Sequence, residues 1–295
     1  MRILFTSDIH ASSSHLFSML SVADRQDVDS IIIGGDIIPH YLPNTRRSGI
    51  LQAQSVYLKD VFIPEIEGFK QSRAVKIYLD LSNDDFICNR RLLEDRDGEL
   101  FDLLHMRKHK LTDTVDIMGY MNVPPTPFDR KDWEKPDSIH QPFAPGNTVS
   151  LRGYISSAGK LEETVIDLRS EDTIENDLKR LSEMIEQPFI FISHTPPYQT
   201  ALDVLYNMMH AGSLATRRFI EKWSRKEKLI VSLHGHIHES PSRSGSISIK
   251  IENSLSINPG QGSGDGANFR YVIFELLDDK IEPRIVILDP VAAKA

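Results

Sequence analysis

Five short segments of the chain carry side chains that could bind metal ions. Each combines Asp, Asn or His with small or turn-forming neighbours: Asp8-Ile9-His10, Gly34-Gly35-Asp36, Ser82-Asn83-Asp84-Asp85, Ser193-His194-Thr195-Pro196-Pro197 and His234-Gly235-His236-Ile237-His238. Any one of them alone has an ordinary structural explanation, such as a tight turn or a helix N-cap. Because all five follow strand-like runs, their joint occurrence favours a metal site.

The residue types narrow the chemistry of this site. Carboxylates, an amide oxygen and imidazoles without a thiolate suit Mn, Fe or Zn better than copper or an iron–sulfur cluster. The candidate ligands are Asp8, His10, Asp36, Asn83, His194, His236 and His238. They are too many for one tetrahedral zinc, but they suffice for two divalent ions if one carboxylate bridges them. Such a pair activates water and clamps phosphate oxygens, so the pattern predicts hydrolysis of a phosphate ester by metal-activated hydroxide.

The segments need a sheet to bring them together. Residues 3–5 and 31–33 are continuous apolar runs typical of buried parallel strands, and residues 74–80 alternate like a third strand. Helical spacing of apolar residues over 15–26, and a further helical stretch over 50–62, lie between these strands. The carboxyl ends of parallel strands meet at one edge of a sheet, so we expect the five segments to share one cleft.

The middle of the chain interrupts this pattern. Residues from about 100 to 145 include six prolines, and we interpret this stretch as an irregular insertion over or beside the site. After it, the sequence predicts helices over 173–186 and from the N-cap Ser213 through Trp223, and strands over 189–193, 228–233 and from 246 onward. This order predicts an α/β fold of two packed mixed β-sheets flanked by helices. We expect a single domain over residues 1–295 that contains the insertion.

Composition excludes several classes of protein. The net charge of −8 argues against a duplex nucleic acid partner, which usually requires a basic face. The single cysteine, Cys88, excludes a disulfide framework. No apolar run reaches the roughly 18 residues that span a bilayer. The first residues enter a strand-like run directly, which predicts no signal peptide, no membrane partner and a cytoplasmic location. The oligomeric state stays open, a homo-oligomer included.

The order of the five segments resembles that of the calcineurin-like metallophosphoesterases, and the turn at residues 258–260 resembles one that follows in many members. The resemblance implies a four-layer sandwich of two β-sheets between helices. It also implies two ligand sets that share a carboxylate: Asp8, His10, Asp36 and His238 for one ion, and Asp36, Asn83, His194 and His236 for the other. Residues 193–198 and 212–217 resemble a prokaryotic branch of predicted phosphoesterases related to cyclic-nucleotide phosphodiesterases.

One position departs from the family pattern. Many members have a His after the metal-binding Asn, thought to protonate the leaving group, where this chain has Asp84. A carboxylate beside two dications should be ionised, so we expect Asp84 to be a poor proton donor. His40 and His210 are alternative donors, and His210 and Asp203 are candidates for contact with the substrate. His210 also precedes a predicted helix N-terminus whose free N–H groups could face a phosphate. The candidate catalytic residues are Asp36, Asn83, Asp84 and His210.

The predicted substrate is a small phosphodiester or phosphomonoester, and a nucleotide is one candidate. Tyr120, Phe128 and Trp133 could stack on a nucleobase, or they could pack together to hold the insertion. The alternative function is a non-catalytic scaffold or binding module on the same fold, as in the retromer subunit that resembles these enzymes. The complete set of seven ligands argues against that alternative. A DNA exonuclease would need a basic groove, which the net charge does not favour.

Overall fold

The computed structural model describes residues 1–41, 45–139, 149–262, 268–277 and 284–291. Within these ranges the strands form two six-stranded sheets and one separate hairpin. The first sheet has these strands, in spatial order: β14 (Arg284–Val291), β13 (Tyr271–Leu277), β1 (Arg2–Thr6), β2 (Ser30–Ile33), β3 (Lys76–Leu79) and β4 (Asp102–Leu103). Strands β1 to β4 are parallel, and β13 and β14 add an antiparallel edge.

The second sheet also has a parallel centre. Its strands, in spatial order, are β11 (Ser248–Ile251), β12 (Ser254–Ile257), β10 (Leu229–Leu233), β9 (Phe189–Ser193), β6 (Asp116–Tyr120) and β5 (Arg107–Lys110). The four central strands are parallel, and β11 and β5 are antiparallel edges. The hairpin consists of β7 (Ser150–Ser157) and β8 (Lys160–Asp167), and it was not predicted.

The helices lie between the strands in sequence. They are α1 (Ser13–Arg25), α2 (Arg47–Tyr57), α3 (Ile63–Ser72), α4 (Arg90–Glu94), α5 (Ile174–Ser182), α6 (Leu214–Arg225) and α7 (Ser240–Ser244). A π-helical turn at Leu58–Phe62 joins α2 to α3, so the helical stretch predicted over 50–62 is longer than expected at both ends. A 3₁₀ turn at Ile87–Asn89 precedes α4. Ser213 caps α6 as predicted, since its side chain accepts a hydrogen bond from the Thr216 N–H.

The core follows from the two-residue period of the strands. In β9, Ile190 and Ile192 belong to a large apolar cluster shared by both sheets, whereas Phe189 and Phe191 pack into a second cluster with helices α5 and α6. The two sheets therefore pack face to face with helices outside, which confirms the predicted fold class.

The stretch predicted as an irregular insertion is regular in its first half. Residues 102–120 supply β4 to the first sheet and β5 and β6 to the second, and Leu103 and Ile117 are core residues. The insertion therefore does not start at residue 100, as expected. The polar strand β5 lies between the apolar residues of β4 and β6 and interrupts the strand pattern in the sequence. The irregular part begins after Tyr120, and residues 140–145 lie outside the described ranges. In the described part of the chain, no helix has the length and apolarity needed to cross a bilayer.

Candidate metal centre

Backbone hydrogen bonds extend the first sheet into the loops that carry its candidate ligands. The Asp8 N–H donates to the Gly35 carbonyl at 3.1 Å, and the His10 N–H donates to the Asp36 carbonyl at 3.0 Å. The loop after β1 and the loop after β2 are thus fixed against each other. Asp8, His10 and Asp36 all have positive φ angles, between 47° and 59°. Non-glycine residues in this strained region are typical of functional sites.

The second sheet reaches the same place from the other side. The His194 N–H donates to the Tyr120 carbonyl at 3.1 Å, and the Gly235 N–H donates to the His194 carbonyl at 2.9 Å. The His236 N–H then donates to both carboxylate oxygens of Asp8, at 3.1 Å each. This contact joins the strand ends of the two sheets.

One group of side chains contains Asp8, His10 and His238. Their potential ligand atoms lie within 4.8 Å of one another. His238 Nε2 is 3.0 Å from Asp8 Oδ1 and 3.1 Å from His10 Nε2. They are three of the four residues predicted for the first ion; the fourth, Asp36, belongs to the second group.

A second group contains Asp36, His194 and His236, again with potential ligand atoms within 4.8 Å. His194 Nε2 lies 3.2 Å from Asp36 Oδ2 and 3.8 Å from Asp8 Oδ1, so it connects the two groups. The His194 Nδ1 donates to the Gly34 carbonyl at 2.8 Å. Asn83 is buried and lines the same cavity as Asp36 and His236. We call the seven predicted ligands the ligand cluster.

Several buried atoms of the ligand cluster have no hydrogen-bond partner among the described residues. They are His10 Nδ1, Asn83 Oδ1 and His194 Nε2. A buried polar atom without a partner costs about 1–3 kcal/mol. Asn83 Oδ1 and His194 Nε2 are suitable ligands for a divalent cation, and a cation bound to them would satisfy both atoms. The residues therefore fit a metal site.

The charges of the ligand cluster also suit a cation. Burial disfavours ionisation of Asp8 and Asp36, but His238 and His194 outweigh this effect and hold both carboxyl pKa values well below the ordinary range. Burial opposes protonation of His194, but Asp36 and Asp8 raise its pKa to about 9. Burial and the neighbouring His238 lower the pKa of His10 to about 3. Two buried carboxylates thus attract positive charge into a volume that contains several imidazoles.

A cavity of about 860 Å³ opens beside the ligand cluster. Asp36, Asn83, His236 and His238 line it, so it gives access to both groups of ligands. Residues 124–130, which we call the proline-rich wall, line another part, and Leu205 and residues 209–212 contribute a third. The cavity therefore joins the predicted metal site to the segment predicted as an insertion.

The sequence pattern of the calcineurin-like phosphoesterase family matches residues 1–240, which is most of the chain. The chain belongs to the calcineurin-like phosphoesterase family. It is therefore a metal-dependent hydrolase of phosphoric esters.

Solved structures agree with this family in fold. This phosphoesterase is similar to the TT1561 protein of Thermus thermophilus, with a TM-score of 0.55 and 14% identity over 97% of this chain and 98% of that chain. It is also similar to a dimetal phosphatase from Danio rerio, with a TM-score of 0.53 and 10% identity over 98% of this chain and 99% of that chain. No curated protein sequence matches the chain.

Asp84, the position expected to depart from the family pattern, lies at the cavity. Burial and the nearby Asp36 raise its pKa, while Arg130 acts in the opposite direction. Arg130 Nη2 is 3.4 Å from Asp84 Oδ1 and donates to the His40 carbonyl at 2.8 Å. The imidazole of His40 packs against His10, with ring centroids 4.2 Å apart. Arg130 was not predicted, because nothing in the spacing of the proline-rich wall points to Asp84.

His210 also lines the cavity, and a buried carboxylate holds its ring. His210 Nδ1 lies 2.8 Å from Asp203 Oδ1. Asp203 is fully buried and accepts hydrogen bonds from the backbone N–H groups of Gln199, Thr200 and Gly212. Asp203 therefore orders the loop and orients His210 within it.

The N-terminus of α6 differs from the expectation. Its N–H groups were predicted to be free for a phosphate, but those of Leu214 and Ala215 donate to Asp137 Oδ2 at 2.8 and 3.2 Å. The Ser213 hydroxyl donates to Asp137 Oδ1 at 2.5 Å. A buried carboxylate thus occupies the place predicted for the phosphate, and that prediction was wrong.

The three aromatic residues proposed for base stacking have different environments. Tyr120 is buried and its hydroxyl donates to Asp177 at 2.8 Å. Trp133 is buried and its indole N–H donates to the Asp85 carbonyl at 3.0 Å. Phe128 is exposed and lines the cavity, so it alone of the three can contact a substrate.

Two buried carboxylates that the sequence did not single out hold the site in shape. Asp85 accepts hydrogen bonds from the N–H groups of Ile37, Ile38 and Ser82, each at 3.1 Å, and so ties the loop of Asp36 to the loop of Asn83. Glu134, just after the proline-rich wall, accepts from the Thr126 N–H within the wall and from Lys131 Nζ. The contacts of Asp85 with Ile37 and Ile38 could not be read from the motif positions, because they join residues 48 and 47 positions apart.

Proposed function

We propose that this phosphoesterase holds two divalent metal ions in the ligand cluster. Asp8, His10, Asp36 and His238 would bind one ion, and Asp36, Asn83, His194 and His236 the other. The observation that carries this proposal is the position of His194, whose Nε2 is 3.2 Å from Asp36 and 3.8 Å from Asp8. The His194 imidazole thus lies beside one carboxylate of each group. The two groups are therefore close enough for Asp36 to bind both ions in this proposal.

The residues of the chain divide the remaining work. Two divalent cations, taken from Mn, Fe or Zn, would activate water and neutralise phosphate charge. Asp36 fixes its own loop to the loop that carries Asn83, because its Oδ1 accepts from the Asp84 N–H at 3.0 Å. Asp84, paired with Arg130, fixes that guanidinium at the cavity instead of donating a proton. Substrates in this proposal are phosphodiesters or phosphomonoesters small enough for the cavity.

We also propose that His210 protonates the leaving group. Asp203 accepts from Nδ1, so in the imidazolium form of His210 the Nε2 on the opposite edge of the ring carries the proton that a substrate can take. As the bond from phosphorus to the ester oxygen breaks, that oxygen takes the Nε2 proton. Water supplies the hydroxyl that bonds to phosphorus, and its proton restores His210. Asp203 keeps the ring oriented throughout, as in other acid–base pairs.

The test combines metal content with turnover. The purified protein would be loaded separately with Mn, Fe and Zn, analysed for metal per chain, and assayed on an aryl phosphodiester and an aryl phosphomonoester. His236→Ala should lose one of two bound ions and most activity. His109→Ala, on the edge strand β5, is the matched control and should retain both. Turnover that survives His236→Ala, or a single bound ion in the wild type, would contradict the dinuclear proposal. Two ions without turnover would favour the scaffold instead.

The location and assembly of the protein stay predictions. A cytoplasmic location, a small-molecule partner in place of duplex nucleic acid and a homo-oligomer were inferred from the sequence alone. Gel filtration and cell fractionation would test them.

A further inference from the structure

Outside the ligand cluster, much of the cavity surface is apolar. Pro124, Pro125, Phe128, Leu205, Met209 and Ile237 contribute this surface. Phe128 and Met209 come from different segments, and both leave most of their side chains exposed, 63% and 61%. Exposed apolar side chains that gather beside a site mark a surface for binding rather than for folding. The cavity can therefore hold an apolar group that extends from a bound phosphate.

The charged residues that line the cavity point to the same kind of ligand. Among the described lining residues, the sole Lys or Arg is Arg130, and its charge is already paired with Asp84 at 3.4 Å. Glu239 adds a carboxylate to the lining, and Asp129 adds another that is paired with Arg47. A second phosphate or a carboxylate on the substrate would face these acids without a free cation to balance it.

We propose that the substrate is a phosphate ester with one phosphate and a bulky, uncharged apolar group, aromatic or branched alkyl, and that Phe128 and Met209 bind this group. The proposal rests on the proposed function, because the ligand cluster must hold the phosphate. It makes polyphosphate nucleotides poor substrates. It also gives the proline-rich wall a role in selecting the substrate.

The experiment uses phosphonates, which bind like phosphate esters but are not hydrolysed. Binding of methylphosphonate, phenylphosphonate and 4-carboxyphenylphosphonate to the full-length, Mn²⁺-loaded protein would be measured by titration calorimetry. Phenylphosphonate should bind at least about tenfold more tightly than methylphosphonate, as expected for burial of an aromatic ring. The added carboxylate should remove most of this gain.

Substitutions locate the binding surface. Phe128→Ala and Met209→Ala should each reduce the preference for phenyl over methyl by about threefold or more. Both residues are exposed, so neither substitution should disturb folding. Phe17→Ala is the matched control, since Phe17 is a similarly exposed aromatic on α1 outside the cavity lining, and it should keep the wild-type preference.

Each outcome separates this proposal from the proposed function. Equal binding of the methyl and phenyl compounds, no binding of either, or tighter binding of the carboxylate would overturn the apolar-group proposal. If turnover of phosphate esters persists in that case, the proposed function stands. A phenyl preference that depends on Phe128, in a protein that hydrolyses no ester with any metal, would support the binding surface and reject the enzyme.

Discussion

The ligand cluster and the proline-rich wall face the same cavity, but different forces fix them. Backbone contacts place the ligands: strand ends, strained φ angles at Asp8 and Asp36, and N–H donors that continue the parallel ladders. Side chains place the wall, chiefly the buried pair of Lys131 and Glu134, each about 1% exposed. The part proposed to bind metal is thus built into the sheets, while the part proposed to contact the rest of the substrate is held by a few polar contacts. A change to the backbone should therefore affect metal binding, and a change to the wall should affect stability and substrate choice.

The largest effect on activity is expected from adding one methyl group at Gly235, whose backbone lies against Asp8 of the ligand cluster. A Cβ at Gly235 would lie 2.1 Å from Ser7 Oγ and 2.4 Å from Asp8 Oδ2. Gly235→Ala should therefore displace Asp8, release metal and lower activity by about a thousandfold, because outer-shell changes alone cost about 10–100-fold. Metal analysis and steady-state kinetics would measure this. Gly68→Ala, where a Cβ meets nothing within 4 Å, is the control and should change neither quantity. Normal metal content in Gly235→Ala would break the comparison.

The wall should respond to Lys131→Met in a different way. Lys131 Nζ donates to the Thr126 carbonyl at 3.0 Å, to the Phe128 carbonyl and to Glu134 Oε2 at 2.7 Å. Removing one partner of a buried ion pair costs about 3–5 kcal/mol, so the free energy of unfolding should fall by about 3 kcal/mol. Urea denaturation would measure it, with the exposed Lys59→Met as a control expected to change little. Loss of metal at native temperatures, in place of lost stability, would show that the two regions are not independent.

His210 lines the cavity outside the ligand cluster, but it is predicted to take part in the reaction. His210→Gln should lower the rate by about a hundredfold for esters with an alkoxide leaving group, because general acid catalysis contributes about 10²–10⁴-fold. The rate for 4-nitrophenyl esters should change little, since that leaving group needs no proton. Comparison of kcat for the two ester types would test this. An equal loss for both would mean that His210 only shapes the loop.

Glu134, whose contacts hold the proline-rich wall, should make part of the stability depend on pH. Burial raises the pKa of Glu134 to about 7, although Lys131 opposes the shift. The folded protein then keeps a proton that the unfolded chain, with an ordinary Glu pKa near 4.5, has released. Stability from this group is therefore full below about pH 4.5 and is lost as the pH rises through 7. Glu134→Gln should flatten this part of the profile by about 1–3 kcal/mol. Urea titrations of both proteins across this range would show parallel curves if the idea is wrong.

The sequence was informative where local pattern and function coincide. Each member of the ligand cluster follows an apolar strand-like run, so strand ends alone were enough to bring Asp8, Asp36 and His194 together. Strands β4 to β6 were not predicted, because a proline-rich segment follows them and β5 is polar. The contacts of Arg130 with Asp84 and of Asp137 with α6 join residues 46 and 77 positions apart. No spacing rule predicts such pairs, because they form only after the two sheets have packed.

The hydrogen bond between His194 and Gly34 decides where a proton sits. A carbonyl oxygen can only accept, so Nδ1 of His194 must carry the hydrogen. In the neutral ring the lone pair then belongs to Nε2, the atom beside Asp36. The main chain after β2 of the first sheet thereby selects the tautomer of His194, which follows β9 of the second sheet. If one sheet shifted against the other, the protonated Nδ1 of His194 could face the carboxylates in place of Nε2. A nitrogen that bears hydrogen has no lone pair to donate, so the ring could no longer bind a cation there.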